Sequence, residues 1–131
     1  MSNRTLTRIL HVEDEPDIRE IVRLALALIG RYTVESCASG QQAIERAPGF
    51  RPDIILLDVM MPGMSGPETL AALRGLDAGV DAPAVFMTAK SRMAEFDDLR
   101  ALGAVDVIAK PFDPLTVSEQ VSQIWARHAG P

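Results

Sequence analysis

Hydrophobic residues along the chain follow two kinds of pattern. Short apolar and β-branched runs predict strands at Ile9–Val12, Thr33–Cys37, Ile54–Asp58, Ala84–Thr88 and Val107–Ala109. Between these runs, apolar residues recur every three or four positions, which predicts helices. Because strand and helix alternate five times, the pattern predicts an α/β domain with a parallel sheet and helices on both faces.

The first helix has the strongest signal, because Pro16 suits its first turn and a long apolar stripe follows. That stripe consists of Ile18, Ile21, Val22, Ala25, Leu26 and Ile29. A capping-box spacing over 65–68 predicts the start of the third helix, and Asp113-Pro114 precedes the last one. Weaker patterns predict the second and fourth helices near Gln41–Ala47 and Met93–Leu102.

Polar side chains stand where the predicted strands end. Glu13 and Asp14 follow the first strand, Asp58 ends the third, Thr88 ends the fourth, and Lys110 follows the fifth. In open parallel sheets, ligands bind beyond the carboxyl ends of the strands, at the point where strand order reverses. We therefore expect these residues to meet in one site.

Crowded carboxylates in such a site need cations. At an effective dielectric constant near 20, two like charges about 4 Å apart repel by about 4 kcal/mol. Lys110 supplies one positive charge, and a divalent metal is the natural second. Oxygen ligands with room for water favour Mg²⁺ (or Mn²⁺) over zinc, which prefers His and Cys.

A carboxylate beside a metal ion, a lysine and a hydroxyl is suited to receive a phosphoryl group. On this interpretation Asp58 is the nucleophile, Asp14 holds the metal, and Glu13 is a ligand or supports the ligands. Lys110 and Thr88 would bind phosphoryl oxygens. Ala89 is small enough for a backbone N–H to approach the same group.

Four segments carry a family resemblance: "VEDE" (12–15), "LLDVMMPGMSG" (56–66), "MTA" (87–89) and "GAVDVIAKPF" (103–112). In this order they make the chain resemble the receiver domain of bacterial two-component response regulators, which is CheY-like. The resemblance covers essentially the whole chain. It implies a flavodoxin-like (βα)5 fold, doubly wound, with strand order 2-1-3-4-5, and one receiver domain over 1–131 without an effector domain.

The resemblance also implies roles for individual residues. Asp58 would be the phospho-acceptor, Thr88 the switch hydroxyl and Lys110 the conserved type of lysine. The metal ligands would be Glu13, Asp14, Asp58 and the backbone carbonyl of Met60. Ala89 would belong to the phosphoryl-binding group, and the bond before Pro111 would be cis.

Two features depart from the pattern that the resemblance implies. Val107 stands where most members carry an aromatic switch residue, so the signal must run through another rearrangement of the fourth helix and fifth strand, or be weak. Met60 and Lys90 occupy the positions that tune loss of the phosphoryl group to water. Apolar Met60 cannot orient a water molecule, whereas Lys90 could shield the phosphoryl group, and we therefore expect slow self-dephosphorylation.

Charge and composition exclude several classes of function. The net charge is −5 and no basic patch is visible, which argues against nucleic-acid binding. No stretch approaches the roughly 18 apolar residues that span a bilayer, and the first residues make a poor signal peptide. The single cysteine, Cys37, cannot form an internal disulfide and fits a reducing cytoplasm.

Three residues have simple packing interpretations. His11 lies within the first strand and is expected to pack or to face the surface, and Cys37 is expected to be a small core residue. Trp125 on the last helix is expected to be partly buried.

The expected partners are a histidine kinase or a histidine phosphotransfer protein, and a downstream protein that binds the surface of the fourth helix, fifth strand and fifth helix. A phosphorylation-dependent dimer is a further expectation. Two alternatives stay open: a receiver-like domain that works without phosphate, and the receiver part of a longer regulator.

Two other functions fit the sequence less well. An aspartate-nucleophile phosphatase needs a second acid where Met60 stands. A flavodoxin-like cofactor binder needs glycines and hydroxyls where "VEDEPD" (12–17) would repel phosphate.

Overall fold

A computed structural model describes residues 5–76, 80–89 and 93–128. They form one five-stranded sheet in the order β2-β1-β3-β4-β5, and all neighbouring strands are parallel. The strands are β1 Arg8–Val12, β2 Thr33–Cys37, β3 Ile54–Asp58, β4 Ala84–Thr88 and β5 Asp106–Ala109. The predicted fold and strand order are confirmed, and β1 and β5 each begin one residue earlier than predicted.

Five α-helices connect and follow the strands. They are α1 Pro16–Leu24, α2 Gly40–Phe50, α3 Gly66–Arg74, α4 Met93–Ala101 and α5 Val117–His128. The capping box predicted for α3 forms, because Ser65 Oγ accepts from the Glu68 amide at 3.2 Å while Glu68 Oε1 accepts from the Ser65 amide at 2.9 Å. Among the described residues, no helix combines the length and apolar character that crossing a bilayer requires.

The apolar stripe of the first helix is only partly buried. α1 continues into a π-helical turn at Ala25–Ile29, which widens the turn and rotates the residues that follow. Val22 and Leu26 are fully buried, but Ile21 and Ile29 are 46% and 49% exposed. The helical period therefore predicts the centre of the buried face but not its edges.

Alternation along the strands divides the core into two layers. α1 and α5 cover one face of the sheet, and α2, α3 and α4 cover the other. β3 and β4 lie in the middle and are buried on both faces, which explains why their sequences are continuous apolar runs. Cys37 and Trp125 are buried, Trp125 more deeply than expected.

The strand order places a switch point between β1 and β3. In the sheet, β2 lies on one side of β1, and β3, β4 and β5 lie on its other side. Glu13 directly follows β1, and Asp58 is the last residue of β3. The two adjacent strand ends therefore deliver acidic side chains to the crevice in which sheets of this kind bind ligands.

Candidate functional site

Three carboxylates meet at the switch point. One oxygen from each of Glu13, Asp14 and Asp58 lies within 4.8 Å of the other two. Glu13 and Asp58 are buried, with 1% and 6% exposure, and Asp14 is half-buried. The acids that the sequence analysis assigned to one site are therefore brought together.

Lys110 joins two of these acids. Its ammonium Nζ donates to Asp58 Oδ1 at 2.5 Å and to Glu13 Oε1 at 2.8 Å. Its own amide donates to the Thr88 carbonyl at 2.7 Å, which fixes the end of β5 against β4. The Lys110–Pro111 peptide bond is cis, as the resemblance implies.

The electrostatics of this cluster are unbalanced. Burial raises the pKa of Asp58 and of Glu13, and the hydrogen bonds from Lys110 only partly offset that rise. Burial also acts to lower the pKa of Lys110, but its hydrogen bonds to Asp58 and Glu13 outweigh burial, so that pKa is raised. Two buried acids thus share one cation, and a second cation would relieve the remaining repulsion.

The acids differ in how open they are to that second cation. Both oxygens of Glu13 have hydrogen-bond donors, because Oε1 accepts from Lys110 and Oε2 accepts from the Glu15 amide at 3.2 Å. No described residue donates a hydrogen bond to the half-buried Asp14 carboxylate. An all-carboxylate donor set with one partly exposed member fits a Mg²⁺ ion that keeps several waters.

The turn after β3 is built around a glycine. The Gly66 amide donates to the Val59 carbonyl at 2.9 Å. A Cβ at this position would overlap the carbonyl oxygen of Asp58 and stand 3.1 Å from the Cα of Val59. Gly66 therefore lets α3 begin directly against the end of the strand that carries Asp58.

The other predicted site residues lie around this cluster. Thr88 is 2% exposed at the end of β4, and Ala89, directly after it, is exposed. Met60 is 76% exposed, so its side chain does not cover Asp58. Lys90 lies outside the described residues.

Val107 packs in the layer between the sheet and α2, α3 and α4. It is 8% exposed and pairs in register with Phe86 of β4. Its short branched side chain cannot swing between a buried and an exposed position as an aromatic ring can.

Arg19, which no residue pattern singled out, also contacts the acidic loop. Its guanidinium Nη1 donates to the backbone carbonyls of Glu13, at 2.9 Å, and of Asp14, at 3.3 Å. The sequence feature that could have pointed to Arg19 is a basic residue in the first turn of α1, close enough in the chain to fold back onto the preceding acidic loop.

His11 lies in the strand that leads to the acids and is completely buried. Neither of its ring nitrogens has a hydrogen-bond partner, and the same holds for the hydroxyl of Ser36, its neighbour in β2. Burial, helped by the positive charges of Lys110 and Arg19, lowers the pKa of His11 to about 3. The imidazole is therefore neutral, which agrees with the packing interpretation.

An apolar groove of about 410 Å³ adjoins the site. Ile18 and Ile21 of α1 face Phe112 across it, and Lys110 also lines it. A larger pocket of about 540 Å³ lies at the opposite edge of the sheet, near Arg8 and Asp53, where the strands begin. The smaller groove is the one next to the acidic cluster.

Comparison with known proteins identifies the family. Residues 9–122 match the response regulator receiver domain. YvrH, a transcriptional regulatory protein of Bacillus subtilis, is 38% identical over 86% of this chain and 46% of its own length. PhoB, the phosphate regulon transcriptional regulatory protein of Pseudomonas aeruginosa, is 37% identical over 94% of this chain and 53% of its own length. The chain thus spans about half the length of the curated relatives it matches.

Solved structures agree with this result. The chemotaxis response regulator CheY4 of Vibrio cholerae superposes with a TM-score of 0.81 at 32% identity, covering 92% of this chain and 99% of CheY4. A putative response regulator from Chloroflexus aurantiacus gives 0.80 at 29% identity, covering 94% of this chain and all of that one. Sequence, fold and the acidic site at the switch point together show that the chain belongs to the response regulator receiver domain family.

Proposed function

We propose that this chain is a phospho-acceptor that receives a phosphoryl group on Asp58 from a histidine kinase or a histidine phosphotransfer protein. A carboxylate oxygen of Asp58 attacks the phosphorus, the P–N bond to the donor imidazole breaks, and the imidazole nitrogen keeps the electron pair. The observation that carries the proposal is the convergence of Lys110, Glu13 and Asp14 on the Asp58 carboxylate.

Asp14 and Asp58 would hold Mg²⁺ together with the backbone carbonyl of Met60. Glu13 would support them, because both of its oxygens already accept hydrogen bonds. When bound, Mg²⁺ would neutralise charge on the phosphoryl oxygens. The residues of the chain itself would fix the acceptor and supply the second cation.

Lys110 is already placed to follow the transferred group. Once Asp58 is an acyl phosphate, its carboxyl oxygens no longer carry the negative charge and are poorer acceptors, and the ammonium would turn to a phosphoryl oxygen. Thr88 would donate its hydroxyl to another oxygen, and the exposed, small Ala89 would leave its backbone N–H accessible to the third. These movements would convert a local charge change into a change of surface.

The apolar groove beside the site supports docking of a protein donor. Its walls include Ile18, Ile21 and Phe112, and Ile21 is 46% exposed. A donor that presents its histidine from an apolar surface would bury these side chains while it reached Asp58.

β5 supports output through the surface formed by α4, β5 and α5. Lys110 follows one end of this strand, and Asp106 begins the other. Asp106 accepts from Arg100 of α4 at 3.2 Å and from Arg127 of α5 at 2.9 Å. A displacement of β5 would therefore be transmitted to both helices through these two ion pairs. Signalling would then be a shift between two arrangements of this surface.

Output would pass to a downstream protein, to a second copy of the domain, or to a further domain of a longer regulator. The net charge of −5 favours a protein partner over nucleic acid for these 131 residues. A buried, reduced Cys37 fits the cytoplasm. Apolar Met60 beside the acceptor favours slow self-dephosphorylation, and a phosphoryl half-life of seconds would contradict that part.

The test is labelling with acetyl phosphate, with and without Mg²⁺, followed by mass spectrometry of the intact chain and of its peptides. We expect one Mg²⁺-dependent phosphoryl group on Asp58 in the wild type, and none in Asp58→Asn. Glu45→Gln, which removes an exposed acid on α2, is the matched control and should label normally. Absence of labelling in the wild type, or labelling that Asp58→Asn leaves intact, would refute the proposal and favour signalling without phosphate.

A further inference from the structure

Arg19 of α1 folds back onto the loop that precedes its own helix. Its guanidinium Nη1 bridges the carbonyl oxygens of Glu13 and Asp14 at 2.9 and 3.3 Å. The side chain is half-buried, so these bonds are partly shielded from water. Bonds from a charged donor in such a place are stronger than neutral ones.

The loop from Glu13 to Glu15 has few other backbone tethers. The last bond to the sheet runs from the Glu13 amide to the Cys37 carbonyl at 3.0 Å. Glu15 precedes α1 without a side-chain capping bond, and Pro16 has no N–H to donate. Arg19 is thus the side chain that ties the carbonyls of this loop to the body of the domain.

We infer that Arg19 is a positioning residue that holds the Glu13–Asp14 backbone in the shape required to bind a divalent cation. This inference rests on the proposed function. The direction of each carboxylate depends on its own backbone, and a metal site loses affinity when its ligands must be ordered at the moment of binding.

The sign of the effect separates positioning from simple charge. Arg19 brings a positive charge close to a cation site, so its removal on electrostatic grounds alone would strengthen Mg²⁺ binding. If Arg19 positions the loop, its removal weakens Mg²⁺ binding. The two explanations therefore predict opposite changes for one variant.

The experiment measures Mg²⁺ affinity by isothermal titration calorimetry for the wild type, Arg19→Ala and Arg19→Lys. Loss of an outer-shell partner typically weakens metal binding by roughly tenfold or more, and we expect roughly tenfold in Arg19→Ala. Arg19→Lys keeps a charged donor and should recover at least half of that loss on a logarithmic scale. Amide hydrogen exchange at 13–15 should become faster in Arg19→Ala.

Arg23→Ala is the matched control. Arg23 lies one turn further along α1, carries the same charge, and pairs with exposed Glu20 at 2.6 Å rather than with the loop. It should leave Mg²⁺ affinity unchanged. With acetyl phosphate, Arg19→Ala should label slowly at low Mg²⁺ and approach the wild-type rate at saturating Mg²⁺.

Two outcomes would overturn the inference: an Arg19→Ala affinity equal to or tighter than that of the wild type, or an Arg19→Lys variant as weak as Arg19→Ala. Arg19→Lys keeps the test valid even if the alanine variant does not fold. A wild type that binds Mg²⁺ but does not label at Asp58 would refute the proposed function and leave the role of Arg19 standing. Normal labelling together with unchanged Mg²⁺ affinity in Arg19→Ala would refute the role of Arg19 and leave the proposed function standing.

Discussion

Replacing Asp58 by asparagine should make the metal-free protein more stable. The substitution keeps the size of the side chain and removes one negative charge from a cluster in which two buried acids share Lys110. Because burial raises the pKa of Asp58, the folded state binds its proton more tightly than the unfolded state does. The ionised carboxylate therefore lowers the free energy of unfolding at neutral pH.

The size of the effect follows from the contacts. One oxygen of Asp58 lies within 4.8 Å of one oxygen each of Glu13 and Asp14, so at an effective dielectric constant near 20 each repulsion costs about 3.5 kcal/mol or more. The contact with Lys110 at 2.5 Å offsets about 6.5 kcal/mol on the same scale. The two repulsions therefore at least match the attraction, and desolvation of the buried charge adds to them. Burying a polar group without full hydration costs about 1–3 kcal/mol, and the asparagine side chain still incurs part of that cost. We therefore expect the free energy of unfolding of Asp58→Asn to be higher than that of the wild type by about 1–2 kcal/mol.

Thermal and urea unfolding in the presence of a chelator measure this gain. For a chain of this size it corresponds to a rise in Tm of about 3–8 °C. Asp98→Asn, which neutralises an exposed acid on α4, is the control. Like ordinary surface substitutions, it should change the free energy of unfolding by about 0.5 kcal/mol or less. Mg²⁺ should stabilise the wild type more than Asp58→Asn. A metal-free Asp58→Asn protein less stable than the wild type would refute the view that the site is strained by charge.

The same electrostatics give three further predictions. Lys110→Ala leaves the buried carboxylates without their cation and should lower metal-free stability by about 2–4 kcal/mol in urea unfolding, while phosphorylation persists without the surface change. Because the pKa values of Glu13 and Asp58 are raised, their stabilising contribution is full at low pH and is lost as pH rises through the folded-state pKa. The stability gap between Asp58→Asn and the wild type should therefore narrow as pH falls from neutral toward the ordinary carboxyl pKa of about 4, and a constant gap would contradict this. Gly66→Ala should lower stability by about 1–3 kcal/mol and slow labelling, whereas Gly49→Ala, with open space for its Cβ, should do neither.

Much of the fold could be predicted because its signals are local. The run Ile54–Leu57 is continuous and apolar because both faces of β3 are buried, and the Ser65–Glu68 spacing marks the start of α3 directly. The meeting of Lys110 with Asp58 also follows from a general rule, since both stand at strand ends on the same edge of the sheet. The strand order itself came from the resemblance, because handedness rules leave several orders open.

Other features leave only a weak signature in residue patterns. The bonds from Arg19 go to backbone carbonyls, which every residue possesses, so only the folded loop reveals them. The π-helical turn at Ala25–Ile29 consists of ordinary helix formers, and its position depends on packing against the sheet and α5. Ile29, at the end of that turn, is 49% exposed, although it belongs to the apolar stripe that a uniform helical period picks out.

If Asp58 is phosphorylated as proposed, charge counting favours Lys110, rather than a residue at position 107, as the residue that carries the signal. Three carboxylates, one lysine and one divalent cation sum to zero charge, and converting the Asp58 carboxylate into an acyl phosphate adds about one half to one negative charge. Among the described side chains at the acids, Lys110 is the cation whose contacts with them are direct, so on the proposed function it would turn toward the new charge. Since its amide is bonded to Thr88 and β5 ends at Ala109, that movement would pull on β5, and Asp106 at the start of the strand would pass it to α4 and α5. An aromatic ring at position 107 is one way to report such a movement. A strand with a lysine at one end and a two-arginine anchor at the other is sufficient without it.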